Sequence, residues 1–293
     1  MTNSNNNINL LTKDLEDGWK RLNREFPFEG YIRPARKSGY FEMVRRVAKW
    51  GGRNASVLDF GAGPCDKTAL FAYVGMKITA FDDLQDAWHK LDGNKEKILD
   101  FAKSAGIEYC VPGTEGLLSI PDRQYDVLMS HDVLEHLHMS PRVLLNQLLQ
   151  YVKPGGIMAI TVPNAANLRK RIHLMMGKTN YNRFQYFYWY PELWRGHIRE
   201  YVKKDLQLMT EFLQLELLDL STYHLQLDVL PGYARQPFVA FSSLLPSVRD
   251  SWMLIARKPE DWQPAFKPDA TQFKDAFGTQ YYNYSDADFD WKA

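Results

Sequence analysis

The stretch VLDFGAGPCD, Val57 to Asp66, constrains this chain more than any other, because an apolar strand pattern runs straight into a glycine turn. Ala55 to Phe60 is a short apolar run of the kind a strand buried on both faces shows. DKTALFAYVG then returns with helical spacing and stops near Gly75. The pattern repeats: KITAFDD is a second strand ending in Asp82 and Asp83, IEYCV a third, YDVLMS a fourth and IMAITVP a fifth. Helical segments separate them, and the segment before the fifth strand opens on Ser140-Pro141 and closes on Pro-Gly-Gly. Strand and helix alternate from residue 37 to 163. That alternation predicts an α/β fold with a doubly wound, mostly parallel, Rossmann-like sheet and helices on both faces.

RKSGYFEMVRRVAKW, ended by Gly51-Gly52, reads as an amphipathic entry helix, while LELLDLSTYH and SWMLIARK supply later strands. The expected organisation is a polar extension over 1–35 with a disordered Asn-rich start, an α/β domain over 36–258, and an acidic, aromatic tail over 259–293. After the fifth strand, residues 164–200 are too long for an ordinary connection and read as an inserted cap. A formal net charge of +1 gives no global field for nucleic acid. Cys65 and Cys110 form neither a CxxC nor a Cys/His cluster, so neither a metal nor a disulfide framework is expected. No apolar run approaches the ~20 residues that cross a bilayer, and the start lacks the regions of a signal peptide. The expected location is the cytoplasm, with contact at the inner membrane surface left open. Nothing in the sequence signals an oligomeric state.

The turn narrows the ligand. Gly61 and Gly63 permit close backbone approach, and the helix that follows offers free N–H groups. Dinucleotide sites favour a third glycine, where helix and strand pack around a pyrophosphate. Here that position is Asp66, whose carboxylate opposes phosphate, so NAD and FAD are disfavoured. A nucleoside without phosphates avoids the conflict. Asp82, at the end of the second strand, stands where an acidic residue accepts both ribose hydroxyls.

VLDFGAGPCD, ITAFDD, GTEGLLSIPDRQYDVLMSHDVLEHL and YVKPGGIMAITVPN, in this order, resemble the successive motifs of class I S-adenosylmethionine-dependent methyltransferases. The resemblance implies S-adenosylmethionine as cofactor. It assigns Asp59, Gly61, Ala62 and Gly63 to the methionine part and Asp82, with Asp83 beside it, to the ribose. Thr114 and Glu115, after Gly113, fall where the family contacts adenine, and Ser130 and His131 fall beside the methionine moiety. Cys65 stands where the family often has a glycine, and Thr114 where it frequently has Asp.

Methyl transfer is an in-line displacement, so the protein mainly aligns the acceptor and excludes water, while an alcohol acceptor also needs a base. HDVLEHLH, His131 to His138, holds three of the seven histidines. His136 is the candidate base, His131 lines the cofactor as a second catalytic candidate, and Asp132 is placed to orient a histidine. The alternative is that Glu135 and His136 merely order the loop.

From His136 to Pro191 the chain has no acidic residue. In NLRKRIHLMMGK, Leu168, Ile172, Met175 and Met176 share one helical face, with Arg169, Lys170, Arg171 and His173 turned mostly away. A lid with its apolar face on the sheet, a membrane-surface patch over 168–178 and a docking site for phosphate-bearing acceptors are all open readings. NAANLR and RGHIREYVKKDL resemble segments of methyltransferases from sugar and polysaccharide pathways, which implies His197, Arg199, Glu200 and Tyr201, with Arg169, on the acceptor side, the alternative being that His197 and Tyr201 merely anchor the following helix. A related insertion occurs in quinone-pathway O-methyltransferases, where it faces the membrane. The leading expectation is O-methylation of a sugar hydroxyl on a nucleotide-sugar, glycan or polysaccharide precursor. The rivals are a membrane-borne phenol or quinone precursor as acceptor, and a non-catalytic scaffold of the same fold.

Overall fold

The computed structural model describes residues 2–113, 116–279, 282–285, 289 and 291. Two helices, α1 (Thr2–Glu25) and α2 (Lys37–Gly51), lead into β1 (Ser56–Phe60), α3 (Thr68–Tyr73), β2 (Lys77–Phe81), α4 (Asn94–Ser104) and β3 (Glu108–Cys110). The second half runs β4 (Tyr125–His131), α5 (Pro141–Gln150) and β5 (Val152–Pro163). The inserted segment carries α6 (Leu168–Met175) and α7 (Phe184–Tyr188), and the chain continues through α8 (Lys203–Phe212), β6 (Glu216–Tyr223), α9 (Gly232–Leu244), β7 (Ser251–Arg257) and α10 (Ala270–Phe277).

The seven strands lie in the order β3-β2-β1-β4-β5-β7-β6, and only β7 runs antiparallel to its neighbours. Each buried strand feeds two apolar layers by the two-residue alternation of the pleat. Val57, Val127, Met129, Ile157 and Ile255 enter the layer under α1 to α4. Their neighbours Leu58, Leu128, Met158 and Leu254 enter the layer under α5 and α8. Strand order reverses between β1 and β4, and that switch point is where such sheets bind ligands.

The N-terminal residues depart from the expected disorder. Leu11, Leu15, Trp19 and Leu22 recur along one face of α1 and join the core, and a Cβ at Gly18 would lie 3.0 Å from Leu70 Cδ1. The helix therefore packs closely on α3. The start of the tail is draped over the body: Trp262 is buried, its Nε1 donates to the Leu213 carbonyl at 2.7 Å, and Asn146 bonds both ways with the Ala265 backbone.

The helix of the insertion departs from the expected polarity at Lys170 and at its apolar C-terminal end, while Arg169 and Arg171 stay exposed as expected. Lys170 is buried and ion-paired with Glu200, and the Arg171 guanidinium donates to the Ala166 and Ser247 carbonyls. Leu174, Met175 and Met176 instead face outward, as do Tyr181, Phe184 and Trp189. Two ordered polar partners outweigh the apolar face, because a cation can be buried here only when it is paired.

Candidate cofactor and acceptor site

The glycine turn is built by backbone bonds across the sheet. Gly61 and Ala62 N–H groups both donate to the Phe81 carbonyl, tying β1 to β2 at their ligand-facing ends. A side chain at Gly61 would strike Val133, so the loop after β4 closes one side of the turn. A Cβ added at Gly63, where φ is +50°, would meet nothing nearer than His89 Nε2 at 4.0 Å, so the other side is open. Cys65 takes φ +62° with its thiol buried, which explains why the family favours glycine there. Asp66 is buried and accepts the Tyr40 hydroxyl of α2. Its charge is thus committed inward, a partner that the expected repulsion of phosphate did not include.

Asp82 accepts from Gly63 N at 2.9 Å and Leu84 N at 2.7 Å, one bond per carboxylate oxygen, so each oxygen keeps a lone pair for a hydroxyl. Asp83 does not join it: exposed, it pairs with Arg195 of the insertion at 3.6 Å. Asp59 is buried, one oxygen accepting from Thr68 at 2.6 Å, and burial pushes its carboxyl up to about 7. Its other oxygen and the hydroxyl of buried Ser130 have no protein partner. Tyr109 of β3 donates to the Gly63 carbonyl at 2.7 Å, a contact the sequence did not signal. Thr114 and Glu115 lie outside the described residues.

His131 departs from a catalytic role. It is buried and stacked on Phe71, and burial pushes its imidazole down to about 3, so it is neutral and a poor proton acceptor at neutral pH. Thr161 donates to Asp132 at 3.3 Å and faces His131 Nδ1 at 3.2 Å, so the imidazole N–H donates to the hydroxyl. Burial alone would raise the Asp132 carboxyl, but Lys67 at 3.0 Å more than offsets that and holds it low. Asp132 thus orients His131 through Thr161, and it is Lys67, unnoticed in the sequence, that neutralises it.

Next to these residues, Glu135 and His136 meet His197 from the end of the insertion. Ile198 and Arg199 N–H groups donate to the Glu135 carbonyl, and His138 Nε2 lies 2.6 Å from the Trp194 carbonyl, fastening the two segments. His136 Nδ1 lies 2.7 Å from the Arg195 carbonyl, which can only accept, so this nitrogen carries the proton and Nε2 is left open. Burial lowers His197 to about 4 and raises the Glu135 carboxyl well above its ordinary value.

A cavity of about 540 Å³ borders this cluster, walled by Leu168, Ile172, Leu225, Leu230 and Phe238, with Arg169 at its edge. Two expected acceptor residues lie elsewhere. Tyr201 is a core anchor that donates to the Leu134 carbonyl, and Arg199 leans on Asp205, both lining a separate cavity against α5 and α8. Helix α9, which contributes Phe238, was not recognised from the sequence although FVAFSSLL carries helical spacing.

A nucleoside-type glycine turn after β1, a ribose-type acid after β2 and an antiparallel seventh strand define a Rossmann-like domain of the class I methyltransferase kind. A family model described as a methyltransferase domain matches residues 32–220, and the chain belongs to that family of S-adenosylmethionine-dependent enzymes. Among curated relatives, the chain is 28% identical over 151 residues to the ubiquinone biosynthesis O-methyltransferase of Rickettsia conorii, covering 51% of this chain and 44% of that protein. It is 33% identical over 110 residues to the Rickettsia canadensis protein of the same name, covering 37% and 42%. The matches thus span less than half the length of these two relatives. A cyclopropane-fatty-acyl-phospholipid synthase-like protein from Lactobacillus casei shares the fold, with a TM-score of 0.52, 11% identity, and coverage of 81% of this chain and 99% of that one.

The residues present fit the family's cofactor. The open face at Gly63, the spare lone pairs of Asp82 and the unpartnered oxygens of Asp59 and Ser130 provide acceptors and space where a nucleoside and an amino-acid tail need them. When bound, the cofactor supplies the electrophilic methyl group.

Proposed function

We propose that the protein is an O-methyltransferase acting on a phenol or quinone precursor at a membrane surface, with Glu135, His136 and His197 promoting loss of the acceptor proton. The observation that carries this reading is the cavity beside those three residues, where Leu168, Ile172, Leu225, Leu230 and Phe238 form an apolar side suited to an aromatic ring, opposite a polar side that includes Asn167, Lys170, Gln226 and Asp250. The names of the Rickettsia relatives support the same acceptor class. Asp59, Gly63 and Asp82 would hold the cofactor, and the open Nε2 of His136 faces the acceptor side. Sugar hydroxyls, the leading expectation from the sequence, lose two of their proposed contacts with Arg199 and Tyr201 directed elsewhere.

A membrane contact is part of the proposal. Among the described residues no helix is long and apolar enough to cross a membrane. The insertion exposes Met175, Met176, Phe184 and Trp189 near Arg169, Lys178 and Arg183, the mixture that lies in an anionic interface. Lys170 and Arg171 are engaged internally and contribute little. The function is tested by assaying phenols and nucleotide-sugars for a gain of one methyl group, in wild type and His136→Ala. Turnover on phenols should fall about a hundredfold or more in the variant, with cofactor affinity nearly unchanged. Methylation of sugars alone would overturn the acceptor, and an undiminished rate would remove His136 from the chemistry.

A further inference from the structure

Glu135, His136 and His197 have a geometry that a bare base does not require. The Glu135 side chain is fully buried, yet neither carboxylate oxygen has a hydrogen-bond partner. A buried carboxyl left without partners is costly, so the position calls for a missing group. His136 Nε2 lies 3.9 Å from Glu135 Oε1, and His197 Nε2 lies 4.0 Å from the same oxygen. One donor atom from each of the three residues falls within 4.8 Å of the others, the one such group among the described residues.

The far side of each imidazole is equally telling. His136 Nδ1 donates to the Arg195 carbonyl at 2.7 Å, and His197 Nδ1 donates to Glu200 Oε1 at 2.8 Å. Glu200 is held in turn by buried Lys170. Both rings are thus fixed in the tautomer that turns the Nε2 lone pair toward Glu135. Metal-binding histidines are oriented this way, with the outer N–H on a carbonyl or carboxylate.

We propose that Glu135, His136 and His197 bind a divalent transition-metal ion, with its remaining positions open to the apolar cavity. Two imidazoles and one carboxylate suit zinc, iron(II), manganese or cobalt rather than calcium or magnesium. Bonds of about 2.0–2.2 Å bring such donors to roughly 3 to 3.5 Å from one another, so a contraction of about 0.5 to 1.5 Å completes the site. The ion's role rests on the acceptor reading above: a phenol oxygen bound to the ion loses its proton to water at neutral pH. That oxygen then forms the bond to the methyl carbon as the carbon–sulfur bond breaks, and the electron pair leaves on sulfur. The products are an aryl methyl ether and S-adenosylhomocysteine. Sequence spacing gave no sign of this site because His197 comes from the far end of the insertion.

The test uses cobalt(II) alone, with no acceptor present. Full-length protein freed of metal by chelator dialysis is titrated with cobalt(II) and followed by visible absorption. One equivalent should bind, and His197→Ala, His136→Ala and the near-isosteric Glu135→Gln should each weaken it at least tenfold. S-adenosylhomocysteine binding reports that each variant is folded. No cobalt binding by folded wild type, or equal binding by wild type and folded variants, overturns the site. That result leaves the phenol reading standing with an imidazole base. Cobalt bound at the cluster together with no methylation of any phenol would sink the acceptor reading and keep the metal site.

Discussion

At the scale of single residues, the site divides into positions that a local pattern reveals and positions that only folding assembles. Gly61, Gly63 and Asp82 were legible because the turn and the strand end impose them locally. The Tyr40 partner of Asp66, Lys67 beside Asp132 and the meeting of His136 with His197 were not, since each depends on contacts between elements. Asp82→Ala removes the ribose acceptor and the partner of Gly63 N together. It should weaken S-adenosylhomocysteine binding by about tenfold or more in calorimetry, and unchanged binding would remove Asp82 from the cofactor site. His131 makes the stability pH-dependent. Its imidazole titrates near 3 when folded against 6.5 in the unfolded chain, so on acidification the unfolded chain takes the proton first. Its contribution is intact above pH 6.5 and is lost toward pH 3, by at most about 1.4 kcal/mol per pH unit. His197 and His224, lowered to about 4 by burial, act in the same direction. Denaturation midpoints should therefore fall less on acidification in His131→Asn than in wild type, and equal falls would contradict the buried neutral imidazole.

At the scale of elements, the alternating core was readable because strands β1, β2, β4 and β5 carry near-continuous apolar runs and α2 stops at glycine. The burial of Lys170 in the insertion was not legible, because a lysine within a basic stretch reads as solvent-facing, whereas Lys170 pairs with Glu200 and Asn167 bonds the Asn164 carbonyl inside. Asn164 holds the junction: its Nδ2 donates to the Ser247 and Arg249 carbonyls, and its Oδ1 accepts from Ala166 N. Asn164→Ala leaves all three groups without that partner and should cost about 2–4 kcal/mol in chemical denaturation. A cost below about 0.5 kcal/mol would show that the insertion is anchored elsewhere. Helix α1 makes the complementary point. Its Asn-rich start suggested disorder, yet Leu15, Trp19 and Leu22 recur on one face and supply the burial that fixes the rest.

At the scale of the molecule, the sheet places two chemistries side by side. The glycine turn lies at the β1/β4 switch point, and the proposed acceptor cavity lies between the loop after β4, the insertion and α9. Replacing exposed Met175, Met176 and Trp189 with Ser should leave stability within about 0.5 kcal/mol per site and reduce sedimentation with anionic vesicles, whereas undiminished binding would place the membrane contact elsewhere. The most direct test of the whole account is methyl transfer from S-adenosylmethionine to a lipid-tailed phenol presented in anionic vesicles, with the products identified by mass spectrometry. The account predicts a phenol methyl ether formed one for one with S-adenosylhomocysteine. A methylated sugar from parallel reactions, with the phenol untouched, would contradict it.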